Sequence, residues 1–168
     1  ATVNKVKNLG DCHSGNKDAQ LVGETIHPAT GNTYHSERDY SSPPLEVVRH
    51  YNGQKDKSIV HSGMQWRHSY SPSIRKTPAA STTLAAAERQ SGRVVLFSKN
   101  TLGVWVADGN SSETLIDGDD GGMQLALGDN SIEMYDADGK LISTTDKFGR
   151  HVTLKYHANV KLTSVTDD

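Results

Sequence analysis

The sequence contains a near-copy of one twelve-residue segment, displaced by 21 residues. YDADGKLISTTD occupies residues 135–146 and YHANVKLTSVTD occupies residues 156–167, and seven of the twelve positions are identical. A period near 20 residues is typical of repeat architectures, whose units are too small to bury their own apolar faces. The repeat therefore predicts an open structure in which each unit stacks on its neighbours.

Each unit is predicted to hold two short strands and two tight turns. Residues 136–139 and 146–149 share the pattern Asp-x-x-Gly. Asp at the first turn position can accept hydrogen bonds from the backbone ahead of it, and Gly at the last position tolerates a positive φ. The strand at 150–156 alternates, which places Val152, Leu154 and Tyr156 on one face. The turns thus predict hairpins.

The second copy departs from the first at two turn positions. His157 stands where the first copy has Asp136, and Val160 stands where it has Gly139. A β-branched residue disfavours positive φ. We therefore expect Asn159 to take that conformation, or the turn to change type. The replacement of Asp136 by His157 in the second copy also argues against the interpretation of the repeat as two calcium-binding loops.

Turn signals recur every 8 to 12 residues through the second half, a spacing that predicts an all-β fold of antiparallel hairpins. Asn52-Gly53 is predicted as a hairpin turn, and the prolines at 43–44 and 72–78 mark irregular stretches. Strands are predicted near 20–26 and at 45–51, 92–98, 103–107, 123–127, 131–135, 140–145, 150–156 and 161–166.

The segment 83–89, TLAAAER, is the exception to this β pattern. Its residues have good helix propensity, and Ser81 or Thr82 is a possible N-cap. The segment is too short to form a stable helix by itself. Propensity alone predicts one or two helical turns.

Composition excludes several classes of partner. The net charge is −2 and hydrophobic residues make up 34%. The basic residues form no run of the kind that binds nucleic acid, and no apolar stretch is long enough to span a membrane. Cys12 is the only cysteine, so no internal disulfide is predicted.

No catalytic, metal or cofactor site is predicted. The eight histidines match no ligand spacing, and His61 with His68 is the best pair, which leaves a metal hydrolase as a rival hypothesis. The acidic stretches 117–122 and 136–139 lack the ligand pattern of an EF-hand and are interpreted as turns. Gly-x-Ser-x-Gly is absent, and the adjacent Cys12-His13 has poor geometry for a catalytic pair.

Three aromatic residues form a possible ligand surface: Trp66, Tyr70 and Trp105. Exposed aromatic rings of this kind could bind a carbohydrate or a peptide. The competing interpretation, which we favour, is packing in the core or at its rim.

The repeat resembles the YD repeat of Rhs proteins. The resemblance is carried by Tyr135, Asp136, Gly139, Leu141, Asp146, Gly149 and Arg150 in the first copy, and by Tyr156, Leu162 and Asp167 in the second.

Four upstream segments resemble, in order, the domain that precedes the repeats in these proteins. They are HPATGNTY at 27–34, VRHYN at 48–52, WRHSY at 66–70 and RVVLF at 93–97. The polar sequence at 1–22 shows no clear period and predicts a flexible segment there. The resemblance implies an Rhs N-terminal β domain at 23–130 and YD repeats at 131–168. It also implies that 84–89 is a strand rather than a helix.

In this family, YD repeats form a long sheet that curves into a hollow shell, and in bacterial members the shell commonly holds a C-terminal toxin. The resemblance therefore implies a non-catalytic module that begins such a shell in a larger secreted or cell-surface protein. The implied partners are further YD repeats, a toxin domain, or a second copy bound through an exposed strand edge. The alternative is a stand-alone adhesin or carbohydrate- or protein-binding module.

Overall fold

The computed structural model describes residues 26–27, 31–53, 65–78, 83–109, 111–158 and 161–167. Over these residues the fold is all-β, as predicted: 61% of them lie in strands and none lies in a helix. Their three antiparallel sheets of short strands do not close into a barrel. Over these ranges the chain offers no helix with the length and hydrophobicity that crossing a membrane requires. The chain divides into two compact units.

Unit one is built on a four-stranded sheet and also includes the 89–93 turn. Its strands are adjacent in chain order: β1 (Ile26–His27), β2 (Asn32–Ser42), β3 (Leu45–Asn52) and β4 (Trp66–His68).

Unit two contains almost all of the other two sheets. The first sheet has β5 (Ser73–Pro78), β6 (Thr83–Glu88), β7 (Val94–Lys99) and β8 (Trp105–Ala107) in chain order. The second has β9 (Thr114–Asp117), β10 (Met123–Ala126), β11 (Ile132–Tyr135), β12 (Leu141–Thr145), β13 (His151–Tyr156) and β14 (Leu162–Asp167), again in chain order.

The strands of unit two bury alternate residues, because successive side chains of a strand point to opposite faces. On β7, for example, Val95 and Phe97 are buried while Ser98 is exposed. The buried apolar residues of unit two are Ile74, Ala85, Ala87, Val95, Phe97, Trp105, Leu115, Met123, Leu125, Tyr135, Leu141, Val152 and Leu154.

The segment with helix propensity is a strand, as the family resemblance implied. Ala85 and Ala87 on β6 are 2% and 0% exposed, whereas Ala86 between them is only half-buried. This alternation matches the strand period, and burial in a sheet outweighs a helix preference of a few tenths of a kcal/mol per residue.

Two predictions of local structure are wrong. Asn52-Gly53 does not form a tight hairpin turn, because β3 pairs with β4 through Tyr51 and Trp66. The Asn52 side chain is instead buried, and its Nδ2 donates to the Ser91 carbonyl oxygen at 2.9 Å. The irregular stretch predicted at 72–78 is largely strand β5, in which Pro78 is the last residue. A terminal proline leaves the rest of a strand free to pair.

The prolines at 43–44 do form the turn between β2 and β3, and the peptide bond between them is cis. Of the strand predicted near 20–26, only Ile26 falls within the described residues, where it begins β1.

Candidate functional site

The first turn of the repeat is closed by both the backbone and its acidic side chain. The Asp136 amide donates to the Lys140 carbonyl oxygen at 2.9 Å, and the Gly139 amide donates to the Asp136 carbonyl oxygen at 2.9 Å. Asp136 Oδ1 accepts the Lys140 amide at 2.8 Å. Gly139 has φ +81°, as the turn pattern predicted. Asp and Gly thus shape the backbone here.

The second turn repeats this arrangement and adds an ion pair. Asp146 Oδ1 accepts the Phe148 and Arg150 amides at 2.8 and 3.0 Å, and its Oδ2 accepts Arg150 Nε at 2.6 Å. Partial desolvation raises the pKa of Asp146, but the bonds from Arg150 and Phe148 outweigh it, and the pKa is lowered overall. Gly149 also has φ +81°.

The two copies of the repeat fold in the same register. Tyr135 on β11 is opposite Leu141 on β12, and Tyr156 on β13 is opposite Leu162 on β14. The pairing shifts immediately before each tyrosine, between Met134 and Tyr135 in the first copy and at the equivalent place in the second. The 21-residue period of the sequence is therefore a structural period as well.

The second copy keeps the closing backbone bond of its turn despite its changed sequence. The His157 amide donates to the Lys161 carbonyl oxygen at 2.9 Å, which matches the Asp136–Lys140 bond of the first copy. Asn159 and Val160 lie outside the described residues, so the expectation about their backbone stays a prediction.

Two family profiles match the chain. One, described as RHS Repeat, matches residues 135–168, which begin at the last residue of β11 and include both copies of the twelve-residue segment. The other, a domain of unknown function (DUF6531), matches residues 23–97 on the N-terminal side. The chain belongs to the Rhs/YD-repeat family. No curated protein matches it. Both matched families point to a structural module.

In this Rhs protein, the motif residues divide between core and turn. Tyr135 and Leu141 are buried, and the Tyr135 hydroxyl donates to Glu133 Oε2 at 2.6 Å. Tyr156 is half-buried, and its hydroxyl donates to the Leu141 carbonyl oxygen at 2.7 Å. Leu162 is half-buried and Asp167 is exposed, both on β14.

The three aromatic residues of the predicted ligand surface differ in their surroundings. Trp66 is half-buried in unit one, with the Arg49 guanidinium 5.2 Å from its ring centroid. Tyr70, also in unit one, has its hydroxyl hydrogen-bonded by the Glu46 amide at 3.2 Å, and burial raises its pKa. Trp105 belongs to unit two and is only 7% exposed. The ligand role of these residues stays a prediction.

Among the described residues, no three His, Cys, Asp or Glu side chains lie close enough together to hold a metal ion. His61, Cys12 and His13 lie outside the described residues. His68 Nδ1 accepts the Tyr70 amide at 3.2 Å. In the 117–122 turn, Asp120 Oδ1 accepts the Gly122 amide at 3.0 Å, so this carboxylate also orders backbone.

One polar network of unit one was not predicted. Arg49 Nε and Nη2 donate to the two carboxylate oxygens of Asp39 at 2.6 and 2.9 Å, and Nη2 also donates to Glu37 at 2.6 Å. The Arg49 bond is the main reason that the pKa of Asp39 is lowered. The sequence does show Glu37 and Asp39 at alternate positions of β2, which places them on one face. Only the pairing of β2 with β3 shows that Arg49 lies beside them.

A second unpredicted network links strands of the two sheets in unit two. Lys99 Nζ on β7 lies 2.5 Å from Asp117 Oδ2 at the end of β9, and Lys76 Nζ on β5 lies 3.9 Å from Asp117 Oδ1. The Lys99 hydrogen bond is the largest cause of the lowered pKa of Asp117. Lys76 also donates to the Gly121 carbonyl oxygen at 2.8 Å.

Proposed function

We propose that this chain forms the beginning of an Rhs/YD-repeat β-shell, which encloses or presents a toxin or other effector domain of a larger secreted protein. The observation that carries the proposal is the repeated register of the two YD units. Each unit adds a hairpin to the same sheet with the same tyrosine–leucine pairing and the same register shift. Further units can extend such a sheet without any new type of contact.

The edge of β14 is the place where extension would occur. Within the described residues, β14 pairs with β13 alone. An unpaired edge presents backbone donors and acceptors to any strand that can align with it. A further YD repeat is the partner that the register favours; a toxin domain or a second copy of the chain are the other proposed partners.

The proposed role is structural and non-catalytic. The acidic side chains of both repeat turns accept backbone amides, and the buried tyrosine of the first copy is hydrogen-bonded to a glutamate. These contacts stabilise turns and core. Secretion is proposed because Rhs-repeat proteins are usually secreted or on the cell surface.

The test is to append a copy of residues 147–167 directly after Asp167, which is equivalent to Asp146, and to measure amide hydrogen exchange in β14. We expect outward-facing amides of β14 to exchange at least about tenfold more slowly, the change that about 1.4 kcal/mol of protection produces. The control carries the same 21 residues in scrambled order.

Light scattering on both proteins and on the original chain reports association. A monomeric original chain in which every β14 amide is already as protected as those of β12 would contradict the proposal. Equal protection by the natural and scrambled extensions would contradict it as well.

The alternative of a glycan-binding adhesin has less support from the geometry. A sugar that stacked on Trp66 at the face where the Arg49 guanidinium lies would have to displace it. A glycan array with Trp66→Ala and Trp105→Ala variants tests this alternative. Binding that is lost with Trp66→Ala would favour the adhesin over the shell.

A further inference from the structure

The start of β5 contacts the first repeat turn through its backbone. The Ile74 amide donates to the Gly139 carbonyl oxygen at 2.9 Å. Ser73 and Lys140 form an antiparallel bridge beside this bond. A strand of the N-terminal sheet in unit two is thus hydrogen-bonded to the turn between β11 and β12.

This contact leaves no space for a side chain at residue 139. A Cβ built on Gly139 would collide with the Ile74 carbonyl oxygen, which is a backbone atom that cannot rotate away. Gly149 has the same φ of +81°, but a Cβ there would meet nothing within 4 Å. The two turn glycines therefore share a conformation and differ in whether a strand lies against them.

The register of the contact is specified by burial. Ile74 is 2% exposed, whereas Arg75 beside it is exposed. Sliding β5 by one residue would exchange these two side chains between core and solvent. The observed register of β5 against the turn is consequently much more stable than a register shifted by one residue in either direction.

A second contact holds β5 against the adjacent turn at the same end of the sheet. Lys76 Nζ donates to the Gly121 carbonyl oxygen at 2.8 Å. A Cβ at Gly121 would lie 3.7 Å from Ala137 Cβ, so the 117–122 and 136–139 turns are neighbours. β5 therefore contacts two neighbouring turns at one end of the six-stranded sheet, the β9–β10 turn and the β11–β12 turn.

We propose that β5 is a docking strand for the turn end of the repeat sheet, and that it requires glycine at position 139 because it excludes any side chain there. Gly139 is then a positioning residue that fixes the first repeat to β5 in one register. The second copy has Val160 at the equivalent position, so this requirement applies to the first copy. If the proposed function holds, β5 sets the register from which later repeats extend.

The experiment compares Gly139→Ala with its matched control Gly149→Ala in the full chain. Both variants are expected to lose stability, because alanine disfavours positive φ. Gly139→Ala should lose more in urea unfolding. In that variant alone, the Ile74 amide should exchange about tenfold faster, as expected for loss of one net hydrogen bond.

Equal destabilisation by the two variants, with Ile74 exchange unchanged, would overturn the proposal. If Gly139→Ala does not fold, hydrogen exchange of the Ile74 amide in the unmodified chain tests the proposal instead. Its Ile74 amide must be as protected as the amides that pair β11 with β12, and exchange at the rate of a free amide would overturn the proposal. These measurements do not involve the β14 edge, so the shell hypothesis can fail independently.

Discussion

At the scale of single residues, the second repeat tyrosine shows how one side chain connects strands beyond the backbone ladder. Tyr156 on β13 reaches the backbone of Leu141 on β12 with its hydroxyl. Burial is the main cause that raises its pKa to about 12, and the nearby Asp136 charge adds to it. The neutral hydroxyl is thus favoured in the folded chain.

This pKa predicts an alkaline limit to stability. The folded value lies above the unfolded value of about 10, so the stabilisation is fully present below pH 10 and is lost as pH rises through about 12. At neutral pH, the Tyr156→Phe variant should be less stable than the unsubstituted chain by about 1 kcal/mol. As the pH rises from 10 to about 12, however, its free energy of unfolding should fall less than that of the unsubstituted chain. Urea unfolding as a function of pH measures both effects.

Asp117 predicts the opposite dependence at acid pH. Its pKa is lowered, chiefly by Lys99, so its contribution is present above the unfolded value of about 3.9 and is lost as pH falls through the folded value. Asp117→Asn should show a smaller loss of stability below pH 4. Acid unfolding that is identical in the two proteins would show that this pair contributes nothing.

At the scale of elements, the two Asp-x-x-Gly turns are four-residue units in which the aspartate side chain accepts backbone amides. In the first turn, Asp136 accepts the Lys140 amide. In the second, Asp146 accepts two amides and an arginine side chain. The second copy of the first turn keeps its closing backbone bond with histidine at this position, so the aspartate stabilises a turn that the backbone can form.

Substitution of the first turn aspartate separates charge from hydrogen bonding. Asp136→Ala should lower the free energy of unfolding by about 1 kcal/mol, the typical net value of one hydrogen bond. Asp136→Asn retains an acceptor oxygen and should lose less than half of that. Urea unfolding measures both variants, and equal losses would show that the charge, rather than the acceptor, matters.

At the scale of the whole molecule, the six-stranded sheet has two different edges. β9 lies beside β8 of the other sheet in unit two, whereas β14 has one partner strand among the described residues. Growth or self-association is therefore expected at the β14 side. Charged residues on edge strands suppress such pairing.

Thr166→Lys on β14 should reduce any self-association of the chain severalfold with little change in stability, since Thr166 is exposed. Thr114→Lys, at an exposed position on β9, is the matched control and should leave association unchanged. Sedimentation velocity over a range of concentrations distinguishes the two. A larger effect from the β9 variant would place the associating edge elsewhere.

The sequence alone was sufficient to predict the all-β class, most of the strands from residue 92 onward and the two Asp-x-x-Gly turns. These features depend on alternation of neighbouring residues and on the φ angle that one glycine permits, so local sequence encodes them. It did not indicate β2, β4, β5 or β9, whose segments lack clear alternation or are bounded by proline. The strand at 84–89 was recognised only through the family resemblance, because local propensity favours a helix.

Tertiary structure alone decided how these elements meet. Asn52 has the sequence of a turn residue, but it is buried and bonded to Ser91, 39 positions away. Gly139 and Gly149 are alike in sequence context and in φ, yet only Gly139 has a strand against it. Local patterns determine backbone conformation, whereas which residues exclude a side chain depends on partners distant in the chain, and only the folded molecule brings those partners together.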